Sequence, residues 1–347
     1  MIKPVIAYPG AKHRFYPYMV DYFPTDMKVF IEPFLGGGSV SLNVGDDPRF
    51  SKLERMVAGD LAPEMWNFWQ GIKTNPYGVL EIANKWFKEA CPHHETMIEA
   101  GMSAELARKY GGKTGKDYLN DENLSDFEKA EITEKMQIHD LAMGEAEKFW
   151  NWAEGVDTSN MTIEQRAARM LLVNKISFSG MGDSGSLSRD RYSAFRLDNL
   201  ESKIMPAHKI LQRMEIYNAS FEETMKIGND DPNNSFIFLD PPYYAQEGSG
   251  LYGRKGDMHK GFNHQGFADY TMAMKCKWFV TYDDSVYVRR MFKGVTALGT
   301  KCNIVPFKIP GGYTMATQNS ENALDGEELF IMNYDLDSYD SLDDIFG

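Results

Sequence analysis

The chain has 347 residues, 43% of them hydrophobic, with a net charge of −13 and an isoelectric point near 5.1. That length suits a catalytic domain with an insertion, and that apolar content excludes global disorder. No apolar run reaches membrane-spanning length, and Met1 to Gly10 lacks a signal-peptide pattern.

Cys91, Cys276 and Cys302 lie far apart, which excludes a disulfide framework and a cysteine metal site. His93-His94 and His259 with His264 are not read as metal ligands either. A reduced, cytoplasmic protein (bacterial, or made from a phage in its host) with no metal and no membrane partner is expected. The oligomeric state is left open.

In chain order, Val29-Phe30-Ile31-Glu32 is a short apolar strand that runs into Pro33 and a glycine-rich turn. Met56-Val57-Ala58-Gly59 is a second, closed by Asp60. Met65 to Lys73 has a helical pattern. Residues 77 to 174 are rich in Glu, Lys, Ala and Met and read as several helices inserted between the second and third strands. Gly111 to Lys116 superficially resembles a phosphate loop, but no apolar strand precedes it, so it reads as a flexible turn. Further strands are expected at Glu215 to Asn218, Phe236 to Leu239, Trp278 to Tyr282, Ile304 to Ile309 and Leu329 to Tyr334. Phe267 to Lys275 is helical. Short apolar runs bounded by Gly, Pro or Asp are buried strands of an α/β sheet. Their alternation with helices predicts a doubly wound sheet with helices on both faces.

The expected division is a catalytic domain from 1–75 and 210–335, a helical insertion and target-recognition region from 76–209, and an acidic tail from 336–347.

An acidic total weighs against a nucleic-acid partner, because such proteins gain affinity by neutralising phosphates. The distribution is uneven. Residues 77–162 hold 9 Lys and Arg against 17 Asp and Glu, whereas residues 163–214 hold 9 against 5. The basic stretch carries Arg166, Arg169, Lys175, Arg189, Arg191, Arg196 and Lys203. It is either one basic face or part of a mixed solvated surface.

Three motifs carry chemistry. Glu32-Pro33-Phe34-Leu35-Gly36-Gly37-Gly38-Ser39 follows a strand and precedes a helix, where glycines let the backbone approach a ligand closely. A plain turn is its bland alternative. Asp60, at the end of the next strand, suits the ribose hydroxyls of an adenosine or a helix N-cap, and the two roles are compatible. Asp240-Pro241-Pro242-Tyr243 follows the strand Phe236 to Leu239. Two prolines end that strand in a rigid turn at the sheet edge where α/β folds bind ligands. The turn offers a carboxylate, a proline carbonyl and an aromatic ring to a flat base with an amino group.

Together these motifs resemble the Dam-type DNA adenine-N6 methyltransferases of the α group. Tyr8-Pro9-Gly10-Ala11-Lys12 is similar to their N-terminal Gly-Lys motif, and the glycine turn to their FxGxG cofactor motif. Asn174-Lys175-Ile176-Ser177-Phe178-Ser179-Gly180 is similar to their target-recognition segment, with Ser179 where the family commonly has Asn. The resemblance covers roughly 1–70, 164–244 and 264–334.

It implies a Rossmann-like sheet, S-adenosyl-L-methionine as cofactor and DNA as partner. Tyr8, Pro9, Gly10 and Lys12 are then expected at the cofactor's methionine end, with Lys12 on its carboxylate. Phe34, Gly36 and Gly38 line its loop, Asp60 holds its ribose, and Phe221 packs by its adenine. Asp240, Pro241, Pro242 and Tyr243 are expected to be catalytic, with Asp240 also beside the cofactor. The base is flipped out of the duplex and methylated in line. Lys175, Ser179, Arg189, Arg191 and Arg196 are expected on DNA, and the 252–260 segment as a second contact or lid.

Besides an RNA or protein substrate, for which an Asn-Pro-Pro-Tyr form would be more typical, two alternatives remain at this stage. One is an amino-cytosine methyltransferase of the same architecture. The other is a non-catalytic DNA- or partner-binding module, with the acidic tail as partner site. For the tail alone, a solvated end is the plainer reading.

Overall fold

Side chains alternate across the strands and sort into two cores. The computed structural model describes residues 1–101, 109–110, 118–178, 185–244, 261–308 and 327–335. The Gly111 to Lys116 turn, Ser179, the 252–260 segment and the 336–347 tail lie outside the described residues.

Among the described residues the strands are β1 (Val29–Glu32), β2 (Arg55–Asp60), β3 (Met214–Asn218), β4 (Ser235–Leu239), β5 (Lys277–Asp283), β6 (Asn303–Lys308) and β7 (Glu327–Met332). They form one sheet in the order β3-β2-β1-β4-β5-β7-β6. Neighbours from β3 to β5 are parallel, and β7 runs antiparallel between β5 and β6. In register, Ile31 of β1 faces Val57 on one side and Ile237 on the other.

Phe30, Met56, Ala58, Phe236, Phe238, Phe279 and Phe330 enter one core. Helices α2 (Ser39–Asp46), α3 (Pro63–Thr74) and α9 (Asn199–Leu211) cover that side. Ile31, Val57, Ile237, Leu239, Val280 and Ile331 enter the other, under α10 (Phe221–Lys226), α11 (His264–Met272) and α12 (Val286–Met291). Burial on both faces explains why the strands read as unbroken apolar runs. The doubly wound sheet expected from the sequence is present. The expected strands all appear, with ends shifted by one or two residues. Helix α11 ends before the expected Lys275, because the Lys275 amide donates to Asn229 Oδ1 at 3.2 Å and the chain turns into β5.

Between β2 and β3, after α3 and among the described residues, come α4 (Pro76–Ala90), α5 (His93–Glu99), α6 (Asp126–Gly155), α7 (Ile163–Ile176) and α8 (Arg189–Ala194), then α9. Helix α6 starts at a capping box of Ser125 and Glu128 and buries residues only from His139 onward. Helix α7 buries Ala167, Ala168, Leu171, Leu172 and Val173 in the same core as the sheet. It lies close on α3, where a Cβ on Gly71 would fall 2.5 Å from the Ala167 Cβ. This part of the expected insertion therefore shares the core of the sheet. Among the described residues no helix is long and apolar enough to cross a membrane.

Candidate active site

The carboxyl ends of β1, β2, β4 and β5 carry the site. After β1 the chain turns through Gly36 and Gly38 at φ +44° and +66°, which favour glycine. The turn is pressed from two sides. A Cβ on Gly36 would fall 2.6 Å from the Tyr8 ring, and one on Gly38 would fall 2.8 Å from Trp69. Trp69 Nε1 also donates to the Gly36 carbonyl at 2.9 Å.

Asp60 secures the turn from below. Its Oδ2 accepts the Gly36 amide at 2.8 Å, and its Oδ1 accepts the Ala62 amide at 2.9 Å. It makes no cap bond to α3, whose N-cap is Ala62, so the N-cap role fails. Burial pushes its carboxyl up to about 6, against the two amide bonds. Each oxygen retains a lone pair, so the residue fits a pair of ribose hydroxyls.

Beside it, Phe34 and Phe221 stack at 5.6 Å, with Phe262 and Phe267 tilted or edge-on around them. This apolar box suits a flat heterocycle. Ser220, just before Phe221, caps α10 by accepting the Glu223 amide.

Glu32, buried at the end of β1, accepts both the amide and the hydroxyl of Ser41. Burial pushes its carboxyl up to about 8; the Ser41 bonds oppose this, while the nearby Asp240 and Asp60 charges add to it.

Across the sheet edge, Asp240 Oδ1 accepts Lys12 Nζ at 2.8 Å and the Thr281 hydroxyl at 2.8 Å. Among the described residues Oδ2 carries no hydrogen bond to protein. Lys12 is 3% exposed and lies 4.8 Å over the Tyr243 ring. Burial alone would lower its pKa, but the Asp240 and Glu328 charges outweigh it and raise it. Tyr243 stacks on Tyr282 at 5.9 Å, and the Tyr282 hydroxyl shares a hydrogen bond with buried His264. Asp283 accepts the Tyr244 amide at 2.8 Å.

The structure thus brings Tyr8, Lys12, Phe34, Gly36, Gly38, Asp60, Phe221, Asp240 and Tyr243 to one edge. Pro9 and Gly10 lie in the loop that leads to Lys12, which donates to the Gly10 carbonyl at 2.9 Å. Lys12, expected at the cofactor carboxylate, pairs here with Asp240. The contacts of Lys12, Thr281, Glu32 and Ser41 were not foreseen. A buried lysine beside a half-buried carboxylate leaves no sequence periodicity, so no signal marked that pairing.

The expected DNA residues divide. Lys175 is turned inward: its Nζ donates to the Val5 carbonyl, and burial with Lys203 and Arg191 nearby lowers its pKa to about 7. Lys175 is half-buried and directs its ammonium to the backbone of Val5. Arg191 is half-buried and donates to the Lys175 carbonyl at 3.2 Å. Arg196 is exposed, though its guanidinium donates to the Ser193 and Phe195 carbonyls, both at 2.8 Å. Arg189 is exposed at the start of α8. Of the wider basic stretch, Arg169 is buried against the Ala153 carbonyl, and Arg166 donates to the Thr158 and Ser159 carbonyls. Arg166, Arg169 and Lys175 of that stretch therefore bond to backbone carbonyls within the fold.

Comparison with known proteins identifies this arrangement. The family model described as D12 class N6 adenine-specific DNA methyltransferase matches residues 8–302. The chain belongs to that family. It is 21% identical, over 84% of its own length and 87% of the relative's, to the type II methyltransferase M.CviBI of Paramecium bursaria Chlorella virus NC1A. It is 20% identical, over 86% and 78%, to M1.LlaDCHI of Lactococcus lactis subsp. cremoris. A 62-residue stretch, 18% of this chain and 20% of the relative, is 34% identical to a DNA adenine methylase of Vibrio cholerae.

The enzyme therefore methylates adenine N6 in DNA, with S-adenosyl-L-methionine as methyl donor. The donor supplies an electrophilic methyl group on a sulfonium with a neutral leaving group. The glycine turn, Asp60 and the aromatic box are the residues that fit it.

Asp60 gives a pH prediction. In the expected ribose role it would accept hydroxyls best as a carboxylate, and burial pushes its carboxyl up to about 6. As pH falls through about 6 the residue takes up a proton and loses acceptor capacity. The half-saturating cofactor concentration should rise below that pH and be flatter with pH in Asp60→Asn. A wild-type profile level from pH 8 to 5 would contradict this.

Proposed function

We propose that Asp240 and the Pro241 carbonyl each accept one N–H of the flipped adenine's amino group and so aim its lone pair at the methyl donor. The observation that carries this is the loading of Asp240. Lys12 and Thr281 fix Oδ1, and among the described residues Oδ2 is the acceptor that remains. Pro242 keeps the turn rigid, and Tyr243 stacks on the base. Tyr243 is 8% exposed and lies under Lys12. Catalysis is then positioning, with no metal and no strong base. The amino proton leaves after transfer.

Among the described residues assigned to DNA, Arg189 and Arg196 are the exposed ones, which supports contact with phosphates or base edges, and Ser179 is assigned to DNA by its motif. The acidic tail from 336 to 347 is kept as a partner site of unspecified kind.

Labelled cofactor incubated with genomic DNA, followed by nucleoside analysis, tests the acceptor. Label is expected on adenine N6, and label on cytosine would overturn the reading. In the same assay Arg189→Glu should weaken DNA binding and lower the salt slope by about one charge or more. Unchanged affinity would remove Arg189 from the interface.

A further inference from the structure

Asn174 has no place in the chemistry above, yet it is fully buried near the end of α7. Its Oδ1 accepts the Ala7 amide at 3.0 Å, and its Nδ2 donates to the Ala7 carbonyl at 2.7 Å. One side-chain amide thus satisfies both backbone groups of one residue, as a neighbouring strand would. The next residue, Lys175, donates to the Val5 carbonyl.

Val5 to Ala7 is therefore fastened along the last turn of α7. Immediately downstream, Tyr8 presses on Gly36 and Gly37, and Lys12 reaches Asp240. The same turn of α7 faces the arginine-bearing segment. The Ser188 amide donates to the Ile176 carbonyl at 2.8 Å, and Arg191 Nε donates to the Lys175 carbonyl.

We propose that Asn174 is a positioning residue, whose clamp on Ala7 sets the Tyr8 to Lys12 loop against the glycine turn and links that loop to the DNA-facing segment. The inference rests on the reading that Tyr8 to Lys12 lines the cofactor. A side chain that merely filled space at this point would need neither an acceptor nor a donor aimed at one residue. Here both are used, on the residue that precedes Tyr8.

The test uses full-length Asn174→Leu and Asn174→Asp. Leu removes both bonds, whereas Asp keeps the acceptor for the Ala7 amide and loses the donor. A roughly tenfold rise in the half-saturating concentration of S-adenosyl-L-methionine is expected for Leu, as for loss of buried hydrogen bonds. Asp should be impaired at least as much as Leu, because its buried carboxylate faces the Ala7 carbonyl where Nδ2 donated, with kcat at saturating cofactor largely retained in both. A purely structural role would lower the active fraction and kcat and leave half-saturation unchanged, and that outcome overturns the proposal.

Tyr8→Ala separates the two layers of the argument. If it leaves cofactor half-saturation unchanged, the site assignment itself falls. If it shifts half-saturation while both Asn174 variants do not, only the Asn174 inference falls. Should the variants not fold, the unmodified enzyme still decides. DNA added without cofactor should slow hydrogen exchange at the Ala7 amide, and no change there would break the proposed link.

Discussion

Asp240→Ala should abolish methyl transfer, with a fall in kcat on the order of 10³ or more, comparable to losing one fixed hydrogen-bonding group at a reacting centre. Alanine removes the acceptor for the amino group and so the orientation of its lone pair. It also leaves Lys12, 3% exposed, without its nearest carboxylate. The Gly10 carbonyl, the Tyr243 ring and the Glu328 charge remain near it. The alanine variant should therefore lose some stability as well as activity. Asp240→Asn separates the two effects, because its side-chain oxygen can still accept from Lys12 and Thr281. It should keep a melting temperature closer to wild type and still be strongly impaired. Purified Asp240→Ala with near-normal turnover would end the assignment of this residue to the reaction.

Lys12→Met should be nearly as damaging, for a different reason. Lys12 is the buried cation against Asp240 and Glu328. The Asp240 and Asp60 charges already push the neighbouring Glu32 upward. Breaking a buried pair by removing one partner costs on the order of 3 kcal/mol, since a charge is left without compensation. The melting temperature and kcat should fall together, and saturating cofactor should not restore kcat. Lys12→Arg should rescue poorly, because a planar fork cannot replace a compact ammonium between Asp240 and the Tyr243 ring. The pH dependence has a definite sign. The folded-state pKa of Lys12 is raised above 10.5, so its contribution is complete below that pH and is lost as pH rises through the folded value. The gap in stability between wild type and Lys12→Met should be steady at neutral pH and close only in strong alkali. Unchanged kcat in Lys12→Met would show that the pair is incidental.

These predictions use residues of differing legibility. Phe236 to Leu239 was recognisable as a strand because burial on both faces demands an unbroken apolar run. The two prolines after it marked the end, since they cannot extend a central strand. Asp60 and the glycine turn were legible for similar local reasons. The antiparallel insertion of β7 between β5 and β6 was not, because order in a sheet depends on tertiary packing. Charge was the least reliable guide. Arg166, Arg169 and Lys175 count as basic in any window, but their side chains donate to backbone carbonyls within the fold. Asn174 and Ala7 lie 167 positions apart, so neither carries a local trace of the other.

The long reach of these contacts also bears on how the enzyme is made. Strand β1 pairs with β4, so Val29 stands opposite Ser235. Lys12 finds its carboxylate only at position 240 of 347. On the ribosome, β1 can pair with β2 early, but its other edge stays open until the whole helical stretch and β4 have emerged. Such non-local pairing slows folding and exposes unpaired strand edges meanwhile. A nascent or prematurely terminated chain that stops before β4 has no acceptor turn and displays apolar Phe30 and Ile31 to chaperones and proteases. Methylating capacity should therefore arise late and all at once during synthesis, and truncated products should be cleared as inert fragments.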